Sequence, residues 1–116
     1  RAEAAGIPFV VAAGNSSKNN DSTGFFPANV KATNVINVAA SAEDDSKPSW
    51  SNYGTAKVHV ASPGDNIMST IPGNKYMALR GTSMATPLVA GLVALIKASD
   101  SSLTAEQIRS LVQASG

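Results

Sequence analysis

The run Leu88-Val89-Ala90-Gly91-Leu92-Val93-Ala94-Leu95-Ile96 carries no polar side chain. A helix that is apolar all round has no face to offer water, so it is expected to be buried, with its N-terminus held rigidly. The residues leading into it, Gly81-Thr82-Ser83-Met84-Ala85-Thr86-Pro87, place one serine at the mouth of that helix, with a glycine before it and small residues and a proline after it. The run is far short of the roughly 20 residues that cross a bilayer, so no membrane span is expected.

The remainder of the chain reads as α/β. Ile7-Pro8-Phe9-Val10-Val11-Ala12-Ala13 is a continuous apolar run bounded by glycines, the pattern of a strand buried on both faces of a parallel sheet. Residues 35–40 read as a second such strand and residues 58–61 as a third, stopped by Ser62-Pro63-Gly64. Between the first two lies a polar loop rich in Asn and Ser, so Asn15 begins a loop at the C-terminal end of a strand, where sites form in open α/β sheets. Residues 41–49 are charged and turn-rich, and Trp50-Ser51-Asn52-Tyr53-Gly54 reads as an exposed connection. Pro72-Gly73-Asn74 predicts a hairpin turn between residues 67–70 and 76–79, which delivers the chain to Gly81. A last helix is expected from Thr104, which has capping-box spacing to Gln107, with Ile108, Leu111 and Val112 on its apolar face.

Composition narrows the functional classes. A chain of 116 residues, 43% hydrophobic and 15% charged, is the size of one globular unit. A net charge of +1 spread without blocks gives no electrostatic footing for nucleic acid or an anionic membrane. With no cysteine there is neither a disulfide framework nor a thiolate metal site, and no cofactor is evident.

Ser83 is the candidate nucleophile. A helix N-terminus carries unpaired backbone N–H groups and a partial positive charge, which stabilise an oxyanion formed by serine attack on a carbonyl. Gly81 allows a substrate backbone to approach closely, and Pro87 lies about one turn in. The alternative is that Ser83 merely caps a core helix, a common use of serine.

The block from Gly81 to Gly91 resembles the nucleophile motif of the subtilisin-like serine proteases over almost its whole length. Leu88 departs from it: many members carry a histidine there, which is not part of their triad. Val10-Val11-Ala12-Ala13-Gly14-Asn15 resembles the strand that ends in the family's oxyanion-hole asparagine, and Phe26-Pro27-Ala28, residues 35–40, Trp50 to Gly54 and Ala61-Ser62-Pro63-Gly64 are similar as well. The resemblance implies the C-terminal portion of a subtilisin-like fold, an α/β partial parallel-sheet sandwich with helices on both faces, over residues 1–116. It implies a serine endopeptidase acting on polypeptides through an acyl-enzyme on Ser83, with Asn15 donating to the tetrahedral intermediate. Ala12, Ala13 and Gly14 would line one side of the primary specificity pocket, with Thr82 also in contact with substrate. Phe25 or Gly24 would lie near the pocket base: a phenyl ring shortens the pocket, whereas glycine leaves it open. Trp50 would lie on the leaving-group side. For each of these pocket positions core packing is the competing reading, as a simple turn is for Asn15.

A serine hydroxyl needs a base and a carboxylate that orients it, and the subtilisin chain order is Asp, His, Ser. Both partners are therefore expected before Arg1. Arg1-Ala2-Glu3-Ala4-Ala5-Gly6, which reads as the glycine-capped tail of a helix, is in keeping with a fragment. The one histidine, His59, falls outside any His-Gly-Thr type motif and reads as a satisfied or surface histidine. It aligns where several members place an aspartate that helps hold a structural cation. The resemblance allows a structural calcium in the complete domain, but imidazole is a poor ligand for Ca²⁺, so a site at this position is not expected. Glu43-Asp44-Asp45 reads as a solvated loop in preference to a cation site. Part of a parallel sheet leaves an open edge, so the chain is expected to associate with the missing N-terminal segment or with a second copy of itself. That leaves a non-catalytic, subtilase-derived module or a pseudopeptidase as the alternative. The family implies an extracytoplasmic or secreted location.

Overall fold

The computed structural model describes residues 1–116. Three parallel strands, β1 (Phe9–Ala12), β2 (Val35–Ser41) and β3 (Val60–Pro63), form one sheet with β2 in the middle. Phe9 pairs with Val35, and Val38 with Val60. Strands β4 (Ile67–Ile71) and β5 (Lys75–Leu79) form the expected antiparallel hairpin. The helices α1 (Thr82–Ser99) and α2 (Ala105–Ser115) follow.

The first six residues of β2 are buried, as a central parallel strand requires. Its residues Ile36, Val38 and Ala40 meet Ala85, Val89 and Val93 of α1 and Ile108 and Val112 of α2 in a single apolar cluster. Both helices therefore lie against this face. On the other face the Asn37 side chain donates to the Lys57 carbonyl, so irregular chain covers it.

Three local expectations are corrected. Strand β3 begins two residues later than its apolar pattern suggests, because the Nδ1 of His59 takes the Asn37 N–H at 2.8 Å, a donor that would otherwise extend the ladder. Pro63, without an N–H, closes β3 at the edge of the sheet. The α1 helix is not buried all round: Leu88, Leu92 and Leu95 are exposed, Leu95 by 70%, because the described chain supplies a packing layer on one side only. By length and composition α1 passes for a membrane span, with mean hydropathy 1.4, yet Ala85, Val89 and Val93 seat it against the sheet. The third correction concerns residues 50–54: Ser51 and Asn52 are fully buried, and only Tyr53 is exposed.

The capping box of α2 forms as expected. The Gln107 N–H donates to Thr104 Oγ1, and the Thr104 N–H donates to Gln107 Oε1. Ile108 and Val112 are buried, but Leu111 turns outward.

Candidate active site

Gly81 brings the chain from β5 into α1. Its N–H donates to the Gly64 carbonyl just beyond β3, which fixes the helix mouth at the C-terminal end of the sheet. Gly81 itself is the N-cap and offers no side-chain cap, so Ser83, in the first turn, is not a capping serine. The four amides of that turn have different fates. Met84 and Ala85 donate to the Gly81 carbonyl, and Thr82 donates to Asn15 Oδ1 at 2.9 Å. The Ser83 N–H has no acceptor within the chain, and the Ser83 side chain is exposed and makes no hydrogen bond.

Asn15 is anchored from the other end. Its Oδ1 accepts from both the N–H and the hydroxyl of Thr82, each at 2.9 Å. A backbone N–H can only donate, so the atom facing it must be the amide oxygen, and Nδ2 is left pointing away as a free donor. This replaces the simple-turn reading of Asn15, since its partner lies across the fold. Thr82 was expected to contact substrate. It is instead fully buried, because its hydroxyl is committed to Asn15 and to the Gly14 N–H at 3.2 Å, and it acts as the post that holds both.

The two free donors border one space. A Cβ added to Gly81 would lie 3.4 Å from Asn15 Nδ2 and 3.6 Å from both the Ser83 nitrogen and Met84 Sδ, so the glycine leaves open a space that both donors flank. Gly81 has φ +150°, which side-chain-bearing residues rarely adopt. An anionic oxygen placed there would meet two N–H donors at a helix N-terminus. Gly81→Ala is therefore expected to lower turnover by about 10²-fold, the scale of losing one such donor. Steady-state kinetics on a folded variant check it, and near-normal turnover would show that this space is not used.

The residues expected to form a pocket lie together. Ala12 ends β1 half-buried, Ala13 is fully buried, and Gly14 is buried with φ +108°. A Cβ on Gly14 would come within 2.9 Å of Phe25 Cζ, so the Phe25 ring packs directly against Gly14. Gly24 is exposed and meets only Phe26 in the same test, which makes Phe25 the residue beside this wall. Trp50 is half-buried. It packs on the apolar cluster, as the core-packing reading has it, and also lines a polar depression with Asp65 and Arg80.

His59 lies at the other end of β3 from Gly64, a span on the order of 15 Å at strand rise, far from Ser83. It is a satisfied histidine: its Nδ1 accepts from Asn37. Burial pushes its pKa below the ordinary 6.5, aided by the charges of Arg109 and Lys57. A depressed folded-state pKa makes this contribution complete above about pH 6.5 and progressively lost below it, as the unfolded chain takes up the proton first. His59→Gln is expected to flatten the fall in melting temperature between about pH 7 and pH 5. A slope unchanged in the variant would remove His59 from that dependence. In the acidic loop, Asp44 accepts from the Ser46 hydroxyl and N–H, a local turn that lowers its pKa.

Sequence reasoning missed the residues behind this site. Asn20 and Asn52 are both buried, and each donates to the Ala13 carbonyl at 2.9 Å. Their only signal was a polar residue type with both donors and acceptors, which loops also favour.

A serine presented at a helix mouth with a fixed amide donor beside it is the arrangement of hydrolases that use a serine nucleophile. Comparison with known proteins is specific: the subtilase family model of peptidases matches residues 1–115, and this chain belongs to that family. It is 43% identical over 109 residues to a thermostable alkaline protease of Halalkalibacterium halodurans, covering 94% of this chain and 28% of that protein. It is 41% identical to subtilisin Savinase of Lederbergia lenta, covering 90% of this chain and 36% of that protein. Among solved structures, a cold-adapted subtilisin-like serine proteinase superposes with a TM-score of 0.87 at 36% identity, over 97% of this chain and 40% of that one. A protease of Pseudoalteromonas arctica gives 0.89 at 32% identity, over 97% and 37%. The chain thus spans well under half the length of these relatives.

Proposed function

We propose that Ser83 is the nucleophile of an endopeptidase that cleaves polypeptides through an acyl-enzyme, with Asn15 Nδ2 and the Ser83 N–H receiving the oxyanion. The observation that carries this reading is that those two unpaired donors border the space left by Gly81, beside an exposed serine hydroxyl. The substrate carbonyl enters that space and Ser83 Oγ adds to the carbon as its proton passes to a base supplied from outside these residues. Negative charge develops on the oxygen between the donors, and collapse of the adduct breaks the C–N bond, the amine leaving with that proton. The segment Ala12-Ala13-Gly14 backs one wall of the pocket for the residue preceding the cleaved bond, with Ala12 its partly exposed member and the fully buried Ala13 behind it. The Phe25 ring, packed on Gly14, shortens that pocket and favours side chains smaller than a large aromatic.

The base and the carboxylate that orients it come from outside these residues, because the single histidine is held at the far end of β3. The supplying segment docks where the fold is unfinished: the free edge of β1 and the exposed Leu88, Leu92 and Leu95 of α1. The 116 residues alone are inactive and self-associate through that surface. The full-length protein acts in an extracytoplasmic or secreted setting, as alkaline proteases and subtilisins lead one to expect.

A fluorophosphonate probe tests the assignment. In the full-length protein it should form one adduct, mapped by mass spectrometry to the peptide containing Ser83, while the isolated chain stays unlabelled. An adduct on another serine, or none in an active preparation, would refute it.

A further inference from the structure

We propose that Asn52 is a positioning residue of the oxyanion donor, holding the loop that carries Asn15 in the one path that aims its Nδ2. The inference rests on the reading of Asn15 given above. Asn52 is fully buried, and its side chain uses its complete hydrogen-bonding capacity. Its Oδ1 accepts from the N–H of Ser16 at 2.9 Å and of Lys18 at 3.0 Å. Its Nδ2 donates to the Ala13 carbonyl at 2.9 Å and to Asn20 Oδ1 at 3.1 Å. Its own N–H donates to the Gly14 carbonyl at 2.9 Å. Asn52 therefore grips the chain on both sides of Asn15, at residues 13, 14, 16 and 18, and none of its hydrogen bonds goes to Ser83 or Gly81.

This grip complements that of Thr82. Thr82 fixes the Asn15 amide at its oxygen, and Asn52 fixes the backbone from which that side chain springs. The fit is close: a Cβ on Gly14 would lie 2.5 Å from Asn52 Nδ2, so the wall and the positioning amide are already in contact. Without Asn52 the Ser16 and Lys18 amides lose their acceptor, and Asn15 is free to move by a fraction of its hydrogen-bond length. A misplacement of about 1 Å in such a donor lowers turnover by up to about 10²-fold.

The test is a double-mutant cycle in the full-length protein. Asn52→Ala is expected to lower kcat by about 10- to 100-fold with KM changed less than about twofold, because the donor matters only once charge develops. In an Asn15→Ala background the same substitution should change kcat by less than about twofold, since its route of action is gone. A purely structural role predicts losses that multiply in the double variant, and that result overturns the proposal. If Asn15→Ala alone leaves kcat intact, the oxyanion reading falls and this inference falls with it. Where Asn52→Ala does not fold, Asn52→Ser enters the same cycle. Hydrogen exchange on the unmodified protein decides independently of any variant: the Ser16 and Lys18 amides should be protected although both residues lie at the surface, and free exchange at both contradicts the grip.

Discussion

Ser83→Ala in the full-length protein should lower turnover by about 10⁶-fold, the scale known for loss of the serine in subtilisin, while leaving KM within a few fold. The expectation follows from what Ser83 touches. Its side chain is exposed and bonded to nothing in the chain, so the substitution removes no folding contact and leaves no buried group unsatisfied. Melting temperature should therefore stay close to that of the unmodified protein. The residual rate should not fall to that of the uncatalysed reaction, because the substitution keeps the backbone N–H at this position, which with Asn15 Nδ2 still surrounds the oxyanion space. Turnover of a chromogenic peptide measured beside thermal unfolding separates the outcomes. Substantial activity in a folded Ser83→Ala protein would remove the serine from the chemistry altogether.

The next largest effect should come from Asn15→Ala. Loss of the corresponding donor in subtilisin lowers turnover by about 10²–10³-fold, and that magnitude is carried over here. The fall should appear in kcat and spare KM, since the Nδ2 donor serves the charged intermediate more than the neutral carbonyl. Thr82→Val offers a matched comparison. It removes the hydroxyl that donates to Asn15 Oδ1 and accepts from the Gly14 N–H, but keeps the backbone donor. Its loss of kcat should be smaller than that of Asn15→Ala and should vanish in the Asn15→Ala background. If Asn15→Ala raises KM and leaves kcat alone, Asn15 binds the ground state and the proposed oxyanion role is wrong.

The free surface of α1 bears on how these experiments are run. Leu88, Leu92 and Leu95 form a row at helical spacing with nothing over it, beside a sheet whose β1 edge is unpaired. Sedimentation of the isolated 116 residues is expected to show self-association, and a stable monomer would mean that the row is tolerated in water. Kinetic comparisons therefore belong in the full-length protein.

Local signals were legible in the residues alone. The apolar residues 35–40, interrupted only by Asn37, gave the central strand, because a parallel strand buried on both faces shows few polar positions, and Asn37 is buried with its amide donating to the Lys57 carbonyl. Thr104 and Gln107 marked the start of α2, since a capping box closes within one turn. The block from Gly81 to Pro87 announced a serine at a helix mouth, and the serine is there. What residue type and spacing could not convey was which polar groups meet across the fold. The Asn15 amide is turned by Thr82, 67 positions along the chain, and the Ala13 carbonyl is met by Asn52, 39 positions along. An asparagine after a strand reads the same whether its side chain faces water or a distant threonine, so the orientation of the donor, the burial of Asn52 and the bare side of α1 were decided only when the layers packed.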